Sequence, residues 1–532
     1  MLGVFWGGVG ALAGMFALFL VIGWLAARKV KRHSPVEMML AGRAMPVWIA
    51  VLTTTATWVD GGYLLGTVEQ TQHGLATGLQ GGVCFGISLI LGGLFFAVPM
   101  RRMEFTTLID PFEARFGRGW AAVLFLPAML GELFWSAELL VAIGATCSVI
   151  LNIDLTTAII ASAAVVTCYT VVGGMWSVAY TDAFQLVLVP IGMLVAIPFA
   201  LATTGGLEHA WESYAQQMGS LAAPLPVFGG EDANWPISGQ IAWWDLSIML
   251  VLGGIPWNCY FQRVLACRSP EKARWHSIVA GALTIALTVP PVLLGVAAYV
   301  YSGWDIEQQQ LLKENPSMAL PMLLRATAPA WVAVLGLGAI VGAVTSSFSA
   351  SILSAGSMFS WNVYHRLLAP KQSSESLWRV IRVSIVALGV GAAAMALEVR
   401  SVAQLWFFTA DLVFVLLFPQ LVMALFDPKA NRTGSITAFV ISLFLRLGGG
   451  ISLLGIPAFI SYAEITSRLT GIDSSLWFGP ATGESAFPTR VLAATAGLIA
   501  LPLVSRLTLR WDPPRNLGTF RPSENTAKTA GV

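Results

Sequence analysis

Thr57-Trp58-Val59-Asp60-Gly61-Gly62-Tyr63 lies inside an apolar stretch that runs from about residue 46 to residue 67. An ionised Asp near the centre of a bilayer costs on the order of 3 kcal/mol on insertion scales, so Asp60 predicts a functional site. Gly61 and Gly62 tolerate backbone angles that other residues resist. They therefore predict that the helix unwinds here and presents free backbone groups to a ligand.

The composition is that of a membrane protein. Hydrophobic residues make up 56% of the 532 residues and charged residues 11%, whereas soluble domains carry about 25% charged residues. Windows of roughly 20 apolar residues, the length needed to cross a bilayer, occur about thirteen times. They are centred near residues 15, 56, 88, 136, 163, 192, 254, 289, 345, 388, 414, 444 and 498. A net charge of +2 gives no indication of nucleic-acid binding, and no catalytic constellation predicts an enzyme.

A second interruption, Gly253-Gly254-Ile255-Pro256-Trp257, falls inside the seventh predicted span. Proline removes a helix hydrogen bond and two glycines loosen the backbone, so this span should also be discontinuous. The two breaks lie five helices apart. Interrupted helices at matching positions of two halves are typical of the central site of an inverted-repeat transporter.

The predicted fold is an all-α polytopic membrane protein of about thirteen transmembrane helices, with a five-plus-five inverted-repeat core whose first and sixth helices are discontinuous. We divide its single transmembrane domain into six parts: an extra N-terminal helix and basic loop (1–45), the first repeat (46–203), an extracellular loop (204–240), the second repeat (241–426), two C-terminal helices (427–508) and a cytoplasmic tail (509–532).

The orientation follows from the cations, because Lys and Arg in short loops stay cytoplasmic. Alternate predicted loops are basic, as in residues 28–32, 101–118 and 268–274, whereas residues 204–240 contain no Lys or Arg. We therefore predict a multi-pass protein of a plasma membrane or a bacterial inner membrane, with its N-terminus outside and its C-terminus cytoplasmic.

Several longer stretches carry a family resemblance. They are Thr55-Ala56-Thr57-Trp58-Val59, Leu89-Ile90-Leu91-Gly92-Gly93-Leu94-Phe95-Phe96, Tyr180-Thr181-Asp182, Gly253-Gly254-Ile255-Pro256-Trp257, Tyr260-Phe261-Gln262-Arg263-Val264-Leu265, Ser351-Ile352-Leu353-Ser354-Ala355 and Phe418-Pro419-Gln420. In these stretches the chain resembles the sodium/solute symporter family, and within it the sodium-dependent high-affinity choline transporters. The resemblance implies sodium-coupled import of choline or a closely related small organic cation by alternating access.

The resemblance also implies a sodium site between the first and eighth core helices. Its ligands would be the backbone carbonyls of Ala56, Val59 and Ala343 and the hydroxyls of Ser346 and Ser347. A hard cation requires oxygen ligands, and an unwound turn frees carbonyls to supply them. Sodium is thus the expected coupling ion, and chloride is left open as a further one.

Choline needs an aromatic site, because a quaternary ammonium has no N–H to donate and aromatic faces attract cations. Trp58, Trp135, Trp257 and Trp406 match Trp positions of the choline transporters, and the first and third of them stand at the two breaks. Phe85 replaces an aromatic hydroxyl of the family and is also expected in the substrate site.

Asp60 departs from the family pattern, since the choline transporters of animals have Gly there. It is predicted either as a fixed anion beside the aromatic cage or as a protonated or sodium-linked group that does not touch substrate. Glu138 and Glu132 lie three residues on either side of Trp135, on the same helix face, and are further candidate anions with packing or proton-linked roles equally open. Asp411 and Asp182 are interpreted as structural pairs or helix-end groups.

Two other functions remain open at this point. One is sodium-coupled transport of another amine or a zwitterion such as betaine. The other is a symporter-like membrane sensor, although only residues 509–532 follow the last predicted span and no output domain is expected there. A channel is disfavoured by an occluding aromatic cage.

Overall fold

A computed structural model describes residues 4–27, 39–171, 175–226, 235–370, 373–399, 401–471 and 486–519. The first half contains helices α1 (Trp6–Ala27), α2 (Val47–Trp58), α3 (Thr67–Thr71), α4 (Leu75–Arg102), α5 (Asp110–Phe116), α6 (Arg118–Leu151), α7 (Leu155–Thr170), α8 (Met175–Ala202), α9 (Leu207–Met218) and α10 (Ile237–Gly253). The second half contains α11 (Asn258–Ala266), α12 (Pro270–Val300), α13 (Ile306–Glu314), α14 (Ala319–Thr327), α15 (Ala330–Leu368), α16 (Ser374–Glu398), α17 (Val402–Phe426), α18 (Arg432–Gly448), α19 (Tyr462–Thr470) and α20 (Thr489–Leu507). The predicted basic loop 28–32 lies outside the described residues.

The helices are those of a multi-pass membrane protein. In the described part of the chain, eight helices are long and apolar enough to cross a bilayer, and shorter apolar helices lie within α1, α2 and α7. Each predicted apolar window falls on a described helix or, for the window at residue 254, on the break between α10 and α11. The region predicted as two C-terminal helices also contains α19. This helix has nine residues, both polar and apolar, and is too short to span a bilayer.

The first break separates α2 from a wide helical turn, Gly62–Gly66, that leads into α3. Its backbone leaves the helix at Val59 (φ −90°, ψ 70°), whereas Gly61 is already helical (φ −64°, ψ −45°). The prediction that the glycines supply unusual backbone angles is therefore wrong. Close packing requires Gly61, because a Cβ there would lie 2.5 Å from Val344 and 2.7 Å from Ala142; a Cβ at Gly62 would lie 2.5 Å from the carboxyl end of the flexible Glu138 side chain.

The second break also occurs where the sequence predicts it. Helix α10 ends at Gly253, Trp257 is extended (φ −106°, ψ 130°) and α11 starts at Asn258. Here too the glycines admit neighbours, since a Cβ at Gly254 would lie 2.4 Å from the hydroxyl of Ser88 on α4. The two broken helices therefore sit tightly against the helices around them.

A buried charge network ties α10 and α17 to the C-terminal helices. Asp411 of α17 accepts hydrogen bonds from Arg446 of α18 at 2.8 and 2.6 Å and from Arg490 of α20 at 3.2 Å. Arg490 also donates to Asp245 of α10 at 3.0 Å. The structural pairing predicted for Asp411 is therefore present.

We expect Asp411→Ala to lower the free energy of unfolding by about 3 to 5 kcal/mol, because it leaves a buried guanidinium without its carboxylate. The midpoint of thermal unfolding in detergent measures the effect. Asp427→Ala is the matched control, since Asp427 pairs with an Arg506 side chain that is 50% exposed and such pairs contribute about 0 to 1 kcal/mol. Equal shifts for the two variants would contradict a stabilising role for the Asp411 network.

Candidate functional site

A cavity lies where the two broken helices meet α4, α6 and α17. Its free volume is about 30 Å³, well below the roughly 300 to 1,000 Å³ of small-molecule sites, so the lining residues are closely packed in this structure. Nine residues line it: Thr57, Trp58, Asp60, Phe85, Trp135, Trp257, Cys259, Trp406 and Thr409. The structure thus brings together around one space all six residues that the sequence predicts for substrate.

The aromatic side chains form a connected wall. The ring of Trp135 lies 6.5 Å from that of Trp58 and 5.7 Å from that of Trp257, centroid to centroid. On the other side Phe85 and Trp406 lie 5.4 Å apart. The wall is predominantly apolar, yet its ring faces carry the negative quadrupole that attracts cations.

Among the residues that the structure describes, Asp60 is the only acidic one in the cavity lining. One carboxylate oxygen accepts a hydrogen bond from the backbone N–H of Tyr63 at 2.8 Å, and the other accepts from the Trp135 indole at 2.6 Å. Asp60 therefore provides an acceptor for a backbone N–H at the start of the resumed helix. Its bond to the indole fixes the orientation of the Trp135 ring. Asp60 thus supports Trp135 from the first break.

The second break fixes another wall residue. The Trp257 indole donates to the carbonyl oxygen of Gly253 at 2.9 Å, one turn back across the break. A buried carbonyl at a helix end needs such a partner. Trp257 thus satisfies the end of α10 while presenting its ring at the cavity.

Sequence reasoning missed some of the lining. Thr57, Cys259 and Thr409 reach the cavity, and Tyr260 packs edge-on against Trp58 at 6.1 Å. Thr409 lies three residues after Trp406 on one helix face, so the helical period would have found it. Cys259 and Tyr260 follow the second break, but nothing in their residue types marks them as cavity residues.

The predicted sodium ligands lie beside the first break. The hydroxyl of Ser347 on α15 is 3.5 Å from the carbonyl oxygen of Ala56 and 3.4 Å from that of Thr57. Val59 and Ala343 are buried, and in the described part of the chain the Ser347 hydroxyl bonds to neither of their carbonyls. The geometry therefore brings α2 oxygens to one α15 hydroxyl.

Ser346 has a different environment. Its hydroxyl hydrogen-bonds to Asp182 of α8, which also accepts from Thr53 of α2 and lies 3.3 Å from the guanidinium of Arg263 on α11. The structural pairing predicted for Asp182 is present. The sequence did not show that Asp182 also bonds to Ser346, a predicted sodium ligand. Asp182 joins both broken helices to α15 and α8.

The two further acids of α6 differ from each other. Glu132 accepts hydrogen bonds from Ser351 at 2.9 Å and from Ser354 at 2.5 Å, both on α15. Glu138 is fully buried, and neither of its carboxyl oxygens has a hydrogen-bond partner among the described residues. Neither acid lines the cavity.

The fold has solved counterparts. A sodium-coupled sialic acid symporter, described in a substrate-bound outward-open state, superposes with a TM-score of 0.73, covering 94% of this chain and 97% of the other at 18% identity. A transporter of the nucleobase-cation-symport-1 family gives a TM-score of 0.53 over 89% of this chain and 95% of the other at 16% identity. At such identities the likeness shows the fold alone.

The sequence places the chain more narrowly. The sequence model of the sodium:solute symporter family matches residues 38–442, so the chain belongs to that family and is a transporter. Curated relatives include High-affinity choline transporter 1 of Caenorhabditis elegans, 35% identical over 95% of this chain and 88% of the relative. The Drosophila melanogaster protein of that name is 38% identical over 94% of this chain and 78% of the relative. The predicted family is therefore confirmed.

Proposed function

We propose that this protein imports choline, or a closely related quaternary ammonium cation, coupled to sodium. The observation that carries the proposal is the cavity walled by Trp58, Trp135, Trp257, Trp406 and Phe85. Such a cage binds a cation that cannot donate hydrogen bonds, with each cation–π contact contributing about 0.5 to 2 kcal/mol. Two relatives named as choline transporters support this substrate class.

We place the proposed sodium site between α2 and α15. Its ligands are the carbonyls of Ala56, Val59 and Ala343 with the hydroxyls of Ser346 and Ser347. The approach of Ser347 to the Ala56 carbonyl supports this assignment. Sodium bound here would steady the broken helix that carries Trp58, and so link the ion to the cage.

In the proposed architecture the chain has thirteen spans and two inverted repeats of five helices. Its N-terminus lies outside and its C-terminus is cytoplasmic. The two broken helices support it, because breaks at matching positions of two halves are typical of inverted-repeat transporters. Import is then electrogenic, since each positive charge gains about 2.3 kcal/mol per 100 mV of membrane potential. Chloride is kept as a further ion to be tested.

Uptake of labelled choline into proteoliposomes tests the proposal. We expect uptake only with an inward sodium gradient and faster uptake with a negative interior. Replacing external chloride with gluconate shows whether chloride takes part. Competition by betaine and by a primary amine separates a choline carrier from a carrier of another solute. The proposal would be overturned if uptake did not depend on sodium, or if it did not saturate as the choline concentration rises.

We expect Ser346→Ala combined with Ser347→Ala to raise the sodium concentration for half-maximal uptake about tenfold, which corresponds to about 1.4 kcal/mol. The physical reason is the loss of two hydroxyl ligands from a hard cation. The sodium activation curve at saturating choline measures this. Ser384→Ala is the control, because that hydroxyl bonds only within its own helix, to the Val380 carbonyl at 2.8 Å. An unchanged curve in the double variant would remove these hydroxyls from the sodium site.

A further inference from the structure

Glu138 stands apart from the other buried acids near the cavity. Asp60 accepts two hydrogen bonds, Glu132 is bonded to two serines, and Glu69 is bonded to Ser401 and to the backbone N–H of Ala403. Glu138 is equally buried, but neither of its oxygens is bonded. A negative charge in this position has no compensation from hydrogen bonds.

The charged neighbours of Glu138 give no compensation either. The groups that act on it are Asp60 at the break and Glu69 on α3, and both are acidic. In the described part of the chain no salt bridge involves any of these three carboxyl groups. A buried anion without a partner is strongly disfavoured, and like charges disfavour it further. A proton on Glu138 would remove this cost.

The position of Glu138 connects this proton to the site. Its carboxyl group packs against Gly62, so closely that a Cβ there would lie 2.5 Å from one oxygen. Trp135, one turn earlier on α6, holds Asp60 of the same break. One face of α6 thus presents a cage residue and a buried acid without a hydrogen-bond partner among the described residues to the broken helix.

We propose that Glu138 is a proton site that loses its proton to water when sodium and the cationic substrate bind. This inference rests on the proposed function. The arriving positive charges lie beside the same break and compensate the carboxylate, which removes the reason for its protonation. Binding of cations and binding of the proton are then antagonistic, and the antagonism is reciprocal.

The sign of the pH dependence follows. Acid favours protonated Glu138 and so weakens cation binding, by at most tenfold per pH unit for one proton. We expect the KM for choline to rise as the pH falls from 8 to 6 in the wild type. Glu138→Gln, which keeps the shape and is always neutral, should transport choline with a KM that hardly changes over that range.

Proton release provides a direct measurement. Purified carrier in weakly buffered detergent solution, with a pH-indicator dye, should release up to one proton per chain when sodium chloride and choline are added. Potassium chloride is the ionic-strength control. Glu138→Gln and the apolar Glu138→Met should release none, and both should fold, because the carboxyl has no partner to lose.

The outcomes are distinct. Identical pH profiles and proton release in wild type and Glu138→Gln would overturn the proposal. Release that persists in Glu138→Gln and disappears in Asp60→Asn would assign the proton to Asp60, and would overturn it as well. Sodium-driven choline uptake at a fixed pH of 7.5 tests the proposed function separately, and release on addition of sodium alone tests Glu138 even if choline is not the substrate.

Discussion

Trp257→Ala should lower choline uptake at low substrate concentration by at least tenfold. The Trp257 ring forms one wall of the cavity, and a desolvated cation–π contact contributes about 2 kcal/mol, or roughly thirtyfold in affinity. The substitution also removes the indole that donates to the Gly253 carbonyl at the end of α10. Initial rates of labelled choline uptake in proteoliposomes, over a range of concentrations, measure the change in KM and in maximal rate.

One further variant separates the aromatic face of Trp257 from its indole hydrogen bond, and a second serves as a control. Trp257→Phe keeps an aromatic face and loses the indole donor, so we expect it to recover much of the affinity for choline. Trp275→Ala is the matched control, because Trp275 is 61% exposed and does not line the cavity. A Trp257→Ala variant that reached the membrane and transported choline with the KM of the wild type would exclude this residue from the cage.

The membrane class and the positions of both breaks were predictable from the sequence, because they depend on local patterns. Apolar windows mark helices, and an interruption such as Gly253-Gly254-Ile255-Pro256 marks a discontinuity without any knowledge of neighbours. The reason for the glycines was not predictable in the same way. Gly61 is helical and is required because Val344 of a distant helix lies against it.

The aromatic cage was predictable because Trp58 and Trp257 stand at the breaks, and the family resemblance added Trp135 and Trp406. The hydrogen bond from the Trp135 indole to Asp60 was not, since it joins residues 75 positions apart. The surroundings of the two acids on α6 were not predictable from the sequence either. Sequence reasoning singled out Glu132 and Glu138 together, and only the packing shows that the first is bonded to two serines and the second to nothing.

Asp60→Asn should raise the KM for choline by about tenfold or more. Two donors converge on the Asp60 carboxylate, the Tyr63 N–H and the Trp135 indole, and an amide has only one acceptor oxygen to offer them. The substitution also removes the one anion of the cavity lining, whose attraction for a cation is poorly screened in a low-dielectric site. Glu69→Gln is the control, because it removes a buried carboxyl that does not line the cavity.

Comparing substrates separates the charge of Asp60 from its support of Trp135. Loss of the charge should weaken binding of choline more than binding of betaine, whose own carboxylate is repelled by Asp60 in the wild type. Loss of the Trp135 orientation should weaken both equally, because both present the same quaternary ammonium to the cage. Asp60→Gly, the residue expected in the choline transporters of animals, removes the charge and both hydrogen bonds together. If Asp60→Asn and Asp60→Gly left choline and betaine affinities unchanged, Asp60 would have no part in substrate binding. A selective loss of choline would instead make Asp60 the residue by which this carrier prefers a net cation to a zwitterion.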